Sequence, residues 1–350
     1  MTEAAARASR LPRPSRALLT CAVLAAALVA GISIGETRIP PLTVLQALAN
    51  RLFGAGLPLD PMDEGIIWNY RLTRALVAAC CGAGLAVSGV VLQALLRNPL
   101  ADPYIMGISA GASTGAVAVT IAGFGAGALS LSMGAFGGAV LAFALVALLA
   151  RAAGGSVGGR GAVQIVLAGI AGSQLFNALT SFIITKSANA DQARGIMFWL
   201  LGNLSGVRWH DVALAVPVAL AGVALCAAHA RALDAFTFGS DSAAALGVPV
   251  RRVQAVLIGA SALLTAVMVS MVGSIGFVGL VIPHAARLLV GVRHARLIPA
   301  AALSGAVFLV TADILSRVIV PGQVLPIGVI TALVGAPAFA LILIRGQDRR

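Results

Sequence analysis

Residues 72–95 read LTRALVAACCGAGLAVSGVVLQAL, and this run decides the fold class. Its one charge, Arg74, stands near the start. A helix rises 1.5 Å per residue and a bilayer core is about 30 Å thick, so a run of this length spans it. Gly82, Gly84 and Gly89 within the run favour close backbone packing over a bulky apolar seam.

Comparable runs extend on both sides. Apolar segments at 17–35, 72–95, 103–122, 129–150, 163–185, 211–230, 253–272, 278–292, 299–317 and 326–344 are separated by Gly, Pro and charges. Those at 103–122 and 278–292 are short and Gly-rich. The chain of 350 residues is 59% hydrophobic and 10% charged. Soluble domains carry about 25% charged residues, so a soluble globular fold is excluded. The expectation is an all-α polytopic membrane protein of about ten transmembrane helices. Residues 1–350 read as one transmembrane domain, with a basic tail at 1–16 and a single sizeable inner loop at 231–252.

The formal charge is +12, with 24 Lys and Arg against 12 Asp and Glu. The basic residues are scattered between apolar runs and form no face or tail, which argues against nucleic acid. Starting inside, the ten-span topology puts about two-thirds of them on cytoplasmic segments, as the positive-inside rule requires. Both termini are then cytoplasmic, in a bacterial inner membrane. The apolar run after Arg7, Arg10, Arg13 and Arg16 resembles a signal peptide in its charge. Its length and the lack of a clear cleavage site make it the first span. Two outer segments, 36–71 and 186–210, are long, and the second holds an amphipathic stretch at Ile196–Leu204.

Chemistry-bearing motifs are few. Cys21, Cys80, Cys81 and Cys226 lie in apolar runs without CxxC spacing, and the four histidines are dispersed, so no metal site or cofactor is expected. Lys186 has no Gly-rich loop before it, which excludes a P-loop. Asp313 reads as an isolated intramembrane acid. Without acid or histidine relays, an ion-coupled secondary transporter is the weaker reading, and no catalytic constellation supports a membrane enzyme. Active transport would draw its energy from another chain. Gly107, Gly111 and Gly115 recur every fourth residue and read as helix packing.

Four motifs stand in order: RLTR at 71–74, RNPLADPYIMGISAGAS at 97–113, GFVGLVIPHAARLLVG at 276–291 and LPIGVITALVGAPA at 325–338. Together they resemble the FecCD-like permeases, the membrane-spanning subunits of type II ABC importers for ferric siderophores, haem and vitamin B12. The resemblance runs from about residue 15 to the end. It implies a transport subunit, not an enzyme: a homodimer around one path, with two separate ATPase subunits below and a periplasmic substrate-binding protein above.

The resemblance also assigns roles. Arg71, Arg74 and Arg317 match arginines that dock the binding protein, although Thr73 stands where the family often has Pro. Arg194 and Trp199 are expected near the translocation path. The segment 239–252, GSDSAAALGVPVRR, resembles the ATPase-coupling helix. In it, Ser240, Asp241, Leu246, Gly247, Val248, Arg251 and Arg252 are the coupling residues. Ser240 stands where the family often has Glu. Gly158, Gly159, Gly161, Ala162 and Val163 fall in the cytoplasmic gate region. The acid that the family places before Leu325-Pro326 is Val324 here. The implied cargo is an iron chelate or haem, with vitamin B12 as the alternative, and the basic outer path favours an anion.

Overall fold

The computed structural model describes residues 13–35, 37–123, 129–154, 159–187 and 189–347. Among them the chain is helical, without strands. Fourteen helices follow in order: α1 Arg13–Ser33, α2 Pro41–Phe53, α3 Pro61–Leu95, α4 Ile108–Thr120, α5 Leu131–Ala152, α6 Gly159–Ser187 and α7 Ala190–Leu200, then α8 Trp209–Ala228, α9 Ala230–Phe236, α10 Ser240–Ala245, α11 Val250–Val272, α12 Val278–Val290, α13 His294–Val318 and α14 Ile327–Gln347. Six are long and apolar enough to cross a membrane, and four shorter apolar ones stand at the remaining expected spans, so ten is an approximate count. Residues 1–12 of the basic tail and Gly158 lie outside the described residues.

The largest departures lie in the segments expected to be loops. Residues 36–71 hold α2 and the first turns of α3, which begins at Pro61 rather than at 72. The Asp60 side chain accepts the Met62 N–H at this end, and Pro61 needs no donor in the first turn. A π-helical stretch at Ile67–Leu72 joins this extension to the apolar body of α3. The amphipathic stretch expected at 196–204 is instead α7, which starts at Ala190 because Asn189 and Gln192 form a capping box. Where a span was expected from 103, a 3-10 turn at Pro103–Met106 precedes α4.

Helix α3 is the hub. Of its apolar window 83% is buried, and α8, α11, α12 and α13 pack around it. Between helices in lipid there is little hydrophobic driving force, so close dispersion contact must hold them. The glycines permit this: a Cβ on Gly82 would overlap the Gly305 carbonyl of α13, and one on Gly89 would overlap the Gly279 carbonyl of α12. Gly111 and Gly115 of α4 meet Gly138 and Gly134 of α5 in the same way, as their spacing suggests. The bundle therefore has two recognisable ends. The α2 end carries the start of α3 and the end of α13; the α10 end carries Arg97, α9 and α10.

Candidate translocation site

Three arginines and an aspartate of the α2 end face inward. Helix α1 stops at Ser33, leaving carbonyls without intrahelical partners. Two arginines from distant elements fill them. Arg71 donates to the carbonyls of Ile32 (2.8 Å) and Ser33 (3.2 Å) and to Thr37, while Arg317 donates to the Gly31 carbonyl (2.8 Å). Guanidinium groups at a helix C-terminus also meet the negative end of its dipole. Asp313 is not isolated: Oδ1 accepts from Arg74 Nε at 2.6 Å, and Oδ2 lies 3.0 Å from Arg317 Nη2. Arg74 Nη1 also reaches Ser205 Oγ at 3.0 Å. Arg71 and Arg317 are 9% and 7% exposed, so these side chains tie α1, α3 and α13 together and do not project from a rim. Arg38, Arg51 and Arg208 are exposed cations of this end; Arg51 pairs with Glu64, and Arg208 lies over the Tyr70 ring at 5.0 Å.

A cavity of about 510 Å³ opens between α4 and α6. Tyr104 from the 3-10 turn and Ser274, just after α11, close one side, and Leu200 of α7 closes another. Of the eleven lining residues, eight carry a hydroxyl or amide and none carries a charge. Several of these groups are committed to each other. Tyr104 Oη donates to the Ile275 carbonyl (3.0 Å), Ser109 Oγ bonds Ser274 Oγ (2.8 Å) and Thr180 shares a bond with Thr114 (2.8 Å). Asp102 positions this wall by accepting the Tyr104 amide N–H; burial pushes its carboxyl up to about 6, and that bond opposes the rise. Ser173, Asn177 and Ser181 recur every fourth residue on α6 and point into the cavity.

Neither residue expected in the path lines this cavity. Arg194 is exposed on α7, and Trp199 is half-buried against the α4–α5 core, with its carbonyl against Gly273. Its neighbour Leu200 does reach the cavity. The residues that line it were missed, although their signal was present: a polar side chain every four positions along an apolar span.

At the α10 end, Ser240 and Asp241 open α10, and Leu246, Gly247 and Val248 form the turn that follows. Gly247 adopts φ +82°, which reverses the chain, and Leu246 is 72% exposed. Arg251 and Arg252 are exposed on the first turn of α11. This segment is anchored behind. The Arg97 guanidinium, at the end of α3, lies against Gly239. Asp234 of α9 accepts the His294 backbone N–H (2.9 Å) and lies 2.7 Å from His294 Nδ1, holding the start of α13. Gly161 and Ala162 lie in the first turn of α6, and Val163 beside them is exposed. Among the described residues no three His, Cys, Asp or Glu are placed to hold a metal ion.

Residues 9–345 match the FecCD transport family. The chain belongs to that family. The uncharacterised ABC transporter permease YvrB of Bacillus subtilis is 41% identical over 323 residues, spanning 92% of this chain and 91% of its own. The cobalamin import system permease BtuC of Halobacterium salinarum is 40% identical over 285 residues, spanning 81% of this chain and 74% of its own. A solved ABC transporter described as of metal-chelate type, in an inward-facing conformation, is 30% identical with a TM-score of 0.80, covering 95% of this chain and 99% of that one. This FecCD protein is thus a multi-span permease subunit of an ABC importer. Such permeases work with ATPase subunits, which hydrolyse the ATP, and with a substrate-binding protein.

Proposed function

We propose that two copies of this chain meet through α6 and form one path across a bacterial inner membrane for a bulky organic metal chelate. The observation that carries this is the polar stripe on a helix whose span is only 17% buried. Exposed amides and hydroxyls are costly against lipid, so the α6 face turns toward a second copy and a wet path. The α2 end is then periplasmic, the α10 end cytoplasmic, and both termini lie inside.

The binding protein docks over the α2 end. Arg71, Arg74 and Arg317 serve docking by holding that surface in register, and the exposed Arg38 and Arg208 make the outward charge contacts that steer association. At the other end, the exposed Leu246 with Ser240, Asp241, Gly247, Val248, Arg251 and Arg252 seats the ATPase, and Asp234 and Arg97 pass its motion to α13 and α3. Gly161, Ala162 and Val163 at the inner end of the α6 pair close the path. ATP and ligand act by binding two conformations unequally.

The cargo is a ferric siderophore or haem; cobalamin is the second reading, favoured by the Halobacterium relative. The test is uptake into vesicles holding this chain with its ATPase and binding protein. ATP-dependent accumulation of one chelate is expected. Movement without ATP and with an ion gradient would sink the importer reading.

A further inference from the structure

The α6 stripe also bears on which chelate passes, an inference that rests on the importer reading. Helices α6 and α8 both bury little of their spans, 17% and 22%. Exposed positions in the span of α8, such as Ala213, Leu214, Pro217, Leu220 and Ala224, are apolar, as a lipid face demands. Between Val163 and Phe182, α6 mixes exposed leucines with Gln174, Asn177 and Ser181.

Three side chains of the stripe, Ser173, Asn177 and Ser181, have no hydrogen-bond partner among the described residues, while other lining hydroxyls are satisfied within the protein. Those three are the groups left to meet a ligand. Each both donates and accepts. Together they complement a surface of amides and hydroxyls, and they offer no counter-charge. An anion stripped of water here would lose its hydration with nothing opposite in sign to replace it. No arginine lines the cavity: Arg74 and Arg317 are paired with Asp313, Arg71 is spent on α1 carbonyls, and Arg38 and Arg208 lie on the surface outside it.

We propose that Ser173, Asn177 and Ser181, facing Ser109 and Ser113 across the cavity, are the wall that cargo touches, and that they select a chelate with a neutral amide and hydroxyl surface. Corrinoids and ferric hydroxamates fit; polyanionic ferric catecholates and bare oxyanions do not. Of the basic residues that favoured an anion in the sequence, Arg71, Arg74 and Arg317 are held inside the fold, and the exposed Arg38, Arg194 and Arg208 do not line the cavity. Weak, distributed hydrogen bonds also suit passage, because a site that holds too tightly cannot release.

The experiment loads proteoliposomes containing the chain, its ATPase and its binding protein with ATP, and offers four probes separately: cyanocobalamin, a ferric trihydroxamate, a ferric triscatecholate and molybdate. ATP-dependent import of one of the first two and neither of the last two is expected. In the Ser173→Ala, Asn177→Ala, Ser181→Ala triple variant, import of that probe should fall about tenfold, equivalent to a net hydrogen bond or two. Asn177→Gln, which keeps the amide, should retain most of the rate and guards against a folding defect. Import of the triscatecholate or molybdate would overturn the neutral-surface inference and leave the importer standing. A triple variant as fast as wild type would remove the stripe from the cargo's route. No ATP-dependent import of any of these probes, nor of haem offered in the same way, would sink the importer reading and this inference with it.

Discussion

Helices α3 and α6 are both long and apolar, yet 83% of one span is buried and 17% of the other. Helix α3 spends its glycines on contact with α12 and α13 and its arginines on α1 and α13. Helix α6 keeps polar side chains, Gln174, Asn177 and Ser181, that stay exposed among the described residues. The contrast separates a scaffold, satisfied within one copy, from a working face that is completed from outside. Substitutions in the scaffold should therefore cost stability, and those on the working face should cost transport.

The scaffold should break most severely at Asp313. Asp313→Ala strips Arg74 and Arg317 of their shared carboxylate inside the bundle. Removing one member of a buried charge group costs about 3–5 kcal/mol. Thermal unfolding in detergent should show a large fall in midpoint; an unchanged midpoint would mean that the cluster is solvated.

The next largest effect probes the third kind of surface. Leu220 is 67% exposed near the middle of α8. If that face meets lipid, Leu220→Arg should raise the insertion free energy by about 2.5–3.5 kcal/mol, the cost of a central arginine. A reporter of membrane insertion, such as a glycosylation site in the following loop, reads this directly. Normal insertion and assembly would place water or protein against α8.

How far the sequence could be read follows from the same contrast. The spans were legible because lipid imposes length and apolarity locally, and the Gly111–Gly115 spacing predicted a packing face that α5 fills. The arginine cluster was not legible. Arg74 and Asp313 are 239 residues apart, and Arg317 and the Gly31 carbonyl are 286 apart. Nothing local distinguishes a docking arginine from one that caps a helix across the fold. The helices of 36–71 were hidden because the segment carries Pro40, Pro41, Pro58 and Pro61, and a proline breaks a helix as readily as it begins one; Pro41 and Pro61 start helices here. The α6 stripe stands in the sequence as a period of four, but three uncharged polar side chains in an apolar span are a weak signal, since serines there can also bond their own helix backbone.

Gly82→Val tests the scaffold without touching charge. The added side chain would occupy the position of the Gly305 carbonyl, so α3 and α13 must separate. Overpacking of this kind costs about 1–3 kcal/mol, visible as a lower thermal midpoint. Where the missing Cβ faces open space the change should be indifferent: Gly259 of α11 has nothing near its missing Cβ among the described residues, and Gly259→Ala should leave the midpoint unchanged or slightly raised.

The smallest expected change in stability is also the sharpest for the comparison. Asn177 is exposed on α6, and Asn177→Leu adds an apolar group to a face that buries little within one copy. Stability should move by no more than about 0.5 kcal/mol, the range for substitutions away from packed features. Transport should nevertheless fall, because the wall would lose the only amide that lines the cavity among the described residues. A fall in both would make α6 part of the scaffold, and a fall in neither would return it to lipid. Only lost transport with retained stability fits a helix whose polar stripe exists for something that passes by.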